Sequence, residues 1–136
     1  MIEIESRELA DIPVLHAYPV GQKDTPLPCV IFYHGFTSSS LVYSYFAVAL
    51  AQAGLRVIMP DAPDHGSRFS GDAARRLNQF WQILLQSMQE FTTLRAAIAE
   101  ENWLRDDRLA VGGASMGAMT ALGITARHPT VKCTAS

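Results

Sequence analysis

Short, nearly continuous apolar runs alternate along this chain with longer stretches in which apolar residues recur at helical spacing. A strand buried on both faces reads as a continuous apolar run, whereas a helix packed on one side shows apolar residues every three or four positions. The partly alternating segment Ile2 to Leu9, and Val14 to Val20 between Pro13 and Gly21, predict an antiparallel opening. The polar turn Gly21 to Pro28 then leads into Cys29-Val30-Ile31-Phe32-Tyr33, a buried strand. After the loop His34 to Ser40, Ser39 or Ser40 is placed to cap a helix. Its apolar face carries Val42, Tyr45, Phe46, Ala49, Leu50 and Ala53, and Gly54 stands at the C-terminal capping position.

Leu55 to Met59 predicts the next buried strand, ended by Pro60-Asp61-Ala62-Pro63, and a polar loop runs on through Asp64-His65-Gly66-Ser67-Arg68 to Gly71. From Ala73 to about Asn102, Leu77, Phe80, Trp81, Leu84, Leu85, Met88, Phe91, Leu94 and Ile98 keep a helical period, as one long or two abutting helices. The aromatic stripe Phe80, Trp81, Phe91 falls on that period and reads as packing, with a substrate-binding or lid role as the alternative. Arg108 to Gly112 is a further strand, Met116 to Arg127 a helix ended by His128-Pro129, and Val131 to Ala135 a last strand. The alternation predicts an α/β fold: a mostly parallel sheet with helices on both faces and antiparallel N-terminal strands. No boundary divides residues 1–136, and Asp61 to Asp72 reads as a functional loop rather than a linker.

Composition narrows the classes. With 136 residues, 49% of them apolar, the chain can bury a sizeable core. A formal net charge of −2 and a pI near 6.0 provide no electrostatic footprint for nucleic acid or an anionic membrane surface. The Met1 to Glu5 segment lacks a basic and apolar leader pattern, and no stretch approaches a membrane span, so a cytoplasmic protein is the expectation. Cys29 and Cys133 both lie in strand-like apolar runs and read as buried, reduced thiols.

The chemistry concentrates at Gly112-Gly113-Ala114-Ser115-Met116-Gly117-Ala118, between a strand and a helix. In a G-x-S-x-G nucleophile elbow the serine sits on a turn so tight that the positions two before and two after it must be small. Gly113 and Gly117 fill them, which makes Ser115 the nucleophile. The Met116 N–H, at the start of the following helix, is placed to meet developing negative charge. A second oxyanion donor is expected from Phe36 N–H in His34-Gly35-Phe36, with Gly35 allowing close approach of substrate and His34 bracing the loop. In the loop Asp61 to Arg68 the polar groups are expected to satisfy backbone donors and, at Asp61, Asp64 and His65, to line a pocket rim. The glycines fit neither a phosphate-binding loop nor a dinucleotide fingerprint, and His34, His65, Asp61 and Asp64 lack metal-ligand spacing, so no metal is assigned.

Tyr33-His34-Gly35-Phe36, Pro60-Asp61-Ala62-Pro63-Asp64-His65-Gly66-Ser67 and the elbow together resemble the α/β-hydrolase superfamily over the whole chain. The resemblance is to small bacterial carboxylesterases of the dienelactone-hydrolase-like and prolyl-oligopeptidase-like branch. It implies a Ser-His-Asp esterase acting on small acyl esters through an acyl-enzyme on Ser115, with no metal or organic cofactor. Such enzymes place the acid and then the histidine after the serine. Here no Asp or Glu follows Asp107, and the later histidine, His128, ends the helix that starts at the elbow, roughly 18 Å away at about 1.5 Å per residue. The expectation is therefore the N-terminal portion of one hydrolase domain, without its C-terminal part and inactive by itself. A peptidase, thioesterase or acyltransferase of the same fold is the alternative activity. A non-catalytic interaction module, or self-association through an open sheet edge, is the alternative of another class.

Overall fold

A computed structural model describes residues 1–135, with side chains described through Lys132. Six strands form one sheet: β1 (Ile2–Leu9), β2 (Ile12–Pro19), β3 (Leu27–Tyr33), β4 (Arg56–Pro60), β5 (Leu104–Gly113) and β6 (Lys132–Ala135). Their order is β1-β2-β4-β3-β5-β6. β1 pairs antiparallel with β2 and β2 antiparallel with β4, whereas β4, β3, β5 and β6 run parallel. The sheet is thus mixed, not mostly parallel. The N-terminal hairpin contributes two antiparallel ladders: β1 with β2 over their full length, closed by the tight turn Ala10–Asp11 at positive φ, and β2 with β4 over Val14 to Ala17.

Alternate residues of β3 feed two cores, as the strand period of two requires. Cys29, Ile31 and Tyr33 join Phe91, Leu94, Ile98, Ala121 and Ile124 on one face, which is covered by α3 (Phe80–Glu100) and α4 (Met116–Arg127). Phe32 and Val30 pack on the other face with Ala47 and Ala51 of α1 (Ser44–Gln52). Of the two arrangements expected for Ala73 to Asn102, the abutting pair is found, α2 (Ala73–Leu77) and α3, and the apolar stripe divides with it. Phe91 is fully buried and Phe80 half-buried, but Trp81 is 62% exposed. The Trp81 side chain therefore does not share the packing role expected of the stripe.

At the end of the sheet where the parallel strands begin, His16 and Arg56 are both fully buried. Arg56 Nη1 donates to His16 Nε2 at 2.9 Å and Nη2 to the Thr25 carbonyl at 2.6 Å, while His16 Nδ1–H donates to Glu5 at 2.7 Å. Trp103 stacks on His16 at 4.3 Å and lies under the Arg56 guanidinium at 4.8 Å. His16 is thus a satisfied core residue. Cys29 is a buried free thiol whose pKa burial pushes up to about 12, so it is inert; the side chain of Cys133 lies outside the described residues. No helix among the described residues is long and apolar enough to cross a membrane.

Candidate active site

From β3 the chain crosses to β4 on one side and then returns past β3 to β5 on the other. Ligands bind in such α/β sheets outside the C-terminal ends of the strands, where the strand order reverses. Three loops meet there, following β3, β4 and β5. The last contains Ser115, which takes φ 58° and ψ −119° at the N-cap of α4 and whose side chain makes no capping bond. A non-glycine residue in that region is strained by of order 1–3 kcal/mol and persists where its surroundings over-determine it. Here they do. A β-carbon at Gly113 would come within 2.3 Å of the Gly117 carbonyl, and one at Gly117 within 2.0 Å of the Tyr33 carbonyl oxygen. The Ala114 N–H also donates to Tyr33 O at 3.1 Å, seating the elbow against β3.

The loop after β3 lies directly beside the serine. A β-carbon on buried Gly35 would stand 3.4 Å from Ser115 Cβ and 3.5 Å from Ala114 O. Around the serine, the N–H groups of Thr37, Ser38, Gly117 and Ala118 all have acceptors. Those of Phe36 and Met116 have none among the described residues, which leaves two backbone donors free next to Ser115. The Phe36 ring is held edge-on against Phe80 at 4.9 Å and tilted against His65 at 5.3 Å.

His34 is buried, with Nδ1 2.8 Å from Gly35 O and Nε2 accepting from Ala62 N–H at 3.0 Å. His65 is buried too, with Nδ1 2.9 Å from Pro63 O and Nε2 accepting from Thr37 N–H at 2.8 Å. Burial holds both imidazoles below their ordinary pKa. Asp61 is buried, accepting from Ser40 N–H at 3.0 Å and from the Ser67 hydroxyl at 3.0 Å. Asp61 and His65 satisfy backbone donors as expected, and their burial places them inside the loops rather than at a pocket rim. Asp64 is half-exposed and is held below the usual carboxylate range by the Ser70 N–H, which donates to it at 2.7 Å. No group of three His, Cys, Asp or Glu among the described residues is arranged to hold a metal ion.

The four histidines all lie among the described residues, and each has its place. His16, His34 and His65 have both ring nitrogens engaged elsewhere, and His128 caps the far end of α4 with its ring against Phe91 at 5.0 Å. Sequence reasoning missed Tyr43, whose hydroxyl is 3.1 Å from the point where a Gly35 β-carbon would sit. It also missed Arg68, which spans from the Asp61 carbonyl to Glu90 on α3. Neither partner pair has a signature in local spacing. A cavity of about 470 Å³ lined by Pro28, Val30, Leu55, Ala110 and Lys132 opens at the opposite ends of the strands and takes no part in this site.

The family model described as serine aminopeptidase, S33 matches residues 24–135. The chain belongs to this family of the α/β-hydrolase superfamily. Within it the chain is 98% identical, over all 136 residues, to the Escherichia coli (strain K12) protein named esterase YjfP, covering 55% of that protein. It is 34% identical over 133 residues to YitV of Bacillus subtilis (strain 168), covering 97% of this chain and 52% of the relative. The chain thus spans about half the length of these relatives. Among solved structures, a dienelactone hydrolase from Anabaena variabilis superposes with a TM-score of 0.70 at 21% identity, over 99% of this chain and 61% of that one. That likeness is one of fold.

Proposed function

We propose that these residues form the N-terminal portion of a single-domain serine carboxylesterase acting on small acyl esters. Ser115 is the nucleophile, and the Phe36 and Met116 N–H groups receive the oxyanion of the tetrahedral intermediate. The observation that carries this reading is the strained Ser115 at the head of α4 with two unengaged N–H donors beside it. Attack by Ser115 Oγ on the ester carbonyl expels the alcohol and forms the acyl-enzyme, which water then hydrolyses. Both steps need a general base, and the engaged histidines leave none to supply it. The base and the acid that orients it are assigned to sequence beyond these 136 residues, so the chain by itself does not turn over.

Joining the chain to the C-terminal remainder of the E. coli relative tests the assignment. Nitrophenyl acetate hydrolysis is expected from the completed protein, falling by at least about 10⁴-fold in Ser115→Ala, and is expected to be absent from the 136-residue chain. Turnover by the chain alone that Ser115→Ala abolishes overturns the assignment of the base. The family's description as a serine aminopeptidase favours a peptidase as the second reading. Preference of the completed protein for an aminoacyl anilide over the acetate ester would select it.

A further inference from the structure

The esterase reading uses the backbone of the β3 loop and of the elbow, and leaves two buried imidazoles without a part in the chemistry. Their bonds form a reciprocal pattern. His34, in the β3 loop, donates from Nδ1 to its own loop at Gly35 O and accepts at Nε2 from Ala62 in the β4 loop. His65, in the β4 loop, donates from Nδ1 to its own loop at Pro63 O and accepts at Nε2 from Thr37 in the β3 loop. The ring centroids are 5.2 Å apart. Each ring is therefore required in the same form, neutral with its proton on Nδ1, because a backbone N–H faces Nε2 and a carbonyl faces Nδ1. Asp61 adds a third tie by accepting from Ser40 N–H.

What His65 holds is strained. Thr37 has φ 67°, an outlier for a β-branched residue, and it follows directly after Phe36. Such a conformation survives only while its surroundings over-determine it. The Thr37 N–H bond to His65 is the tie that does so at this residue.

We propose that His65 is a positioning residue for the oxyanion loop, and that the His34–His65 pair is a clasp between the β3 and β4 loops that acid releases. This rests on the reading of Ser115 as the nucleophile. A proton arriving at Nε2 replaces a lone pair with a second N–H that confronts the Thr37 or Ala62 N–H, so each cross-loop bond becomes a repulsion. The groups that face the rings set when this happens. Burial is the largest influence on both and keeps them neutral; for His34 the other imidazole adds to it and Asp61 opposes, and for His65 Arg76 adds to it and Asp64 and Asp61 oppose. The clasp is closed at neutral pH and opens on acidification below the ordinary imidazole range.

The test uses the chain completed with the C-terminal remainder of the E. coli relative. Long-range proton–nitrogen NMR is expected to find both rings as the Nδ1–H tautomer at pH 7, and the Thr37 and Ala62 amide signals to move with the rings on acidification. His65→Ala is expected to lower kcat on the order of 10²-fold with KM nearly unchanged. His65→Gln, whose side-chain oxygen can accept from Thr37, is expected to restore most of it. An Nε2–H tautomer, a Thr37 amide indifferent to the titration, or equal losses in the two variants overturns the clasp. If hydrolysis survives Ser115→Ala, the esterase assignment fails instead, and the tautomers and amide titrations still decide the clasp on their own.

Discussion

A β-carbon on Gly117 would stand 2.0 Å from the Tyr33 carbonyl oxygen, a clash that side-chain rearrangement cannot relieve because both partners are backbone. Gly117→Ala must therefore push α4 away from β3, and a loss of at least about 3 kcal/mol is expected from the urea unfolding midpoint of the completed protein. Gly54 provides the contrast. It has φ +94° with nothing within 4 Å of an added β-carbon, so Gly54→Ala bears only backbone strain, about 1–2 kcal/mol. Equal effects at the two glycines would count against close approach as the reason for Gly117. The same geometry explains which site residues were legible in the sequence. The backbone contacts at the elbow force glycine at 113 and 117 and leave a spacing that can be read, as does Gly35 beside Ser115. His65 with Thr37 is a pair made by folding between two distant loops, and Tyr43 with Gly35 one made by the β3 loop folding back on itself; neither carries a local pattern.

Elements were legible to the degree that local patterns decided them. Buried strands announce themselves as apolar runs, and α4 is bounded by the elbow and His128-Pro129. The start of α1 was not readable, since Ser39 and Ser40 look like caps while the helix begins at Ser44; Asp61, from another loop, takes the Ser40 N–H and holds that residue outside the helix. β5 begins at Leu104, not Arg108, because Leu27 pairs with Leu104; the ladder resumes at Cys29 and Leu109 after an irregularity that holds Asp106 and Asp107, both at positive φ. Charged residues in that stretch read as loop. The join between the β4 loop and α3 likewise depends on a long-range pair, in which Arg68 reaches both Glu90 oxygens at 2.8 and 2.9 Å with the two side chains 22% and 21% exposed. Bidentate geometry and partial burial raise such a pair above an ordinary surface ion pair. A double-mutant cycle of Arg68→Ala and Glu90→Ala is expected to give a coupling of about 1 kcal/mol that shrinks with added salt. A coupling indistinguishable from zero would mean that the β4 loop is held by Asp61 and the imidazoles alone.

Across the whole molecule, the three buried histidines share one state although they sit at opposite ends of the sheet. His16, His34 and His65 each present Nε2 to an N–H donor, from Arg56, Ala62 and Thr37 respectively. All three are held below the ordinary imidazole pKa, His16 down to about 4, with burial as the largest cause in each. The unfolded chain binds protons at these rings as pH falls through about 6.5 while the folded chain does not, so stability rises with pH across that interval and is lost on acidification. The effect is complete above the unfolded value and declines as pH drops toward each folded one. Every such ring contributes up to about 1.4 kcal/mol per pH unit, and His16 over its full interval on the order of 3 kcal/mol. Between pH 7 and pH 5 the carboxylates of an unfolded chain remain mostly ionised, so this window isolates the imidazoles. The urea midpoint of the completed protein is expected to fall over it, and His16→Gln, which keeps an acceptor for Arg56 but cannot titrate, is expected to flatten the slope. A midpoint independent of pH in that window would mean that the rings bind protons in the folded state, and the neutral tautomers that tie the loops and the sheet end together would have to be abandoned.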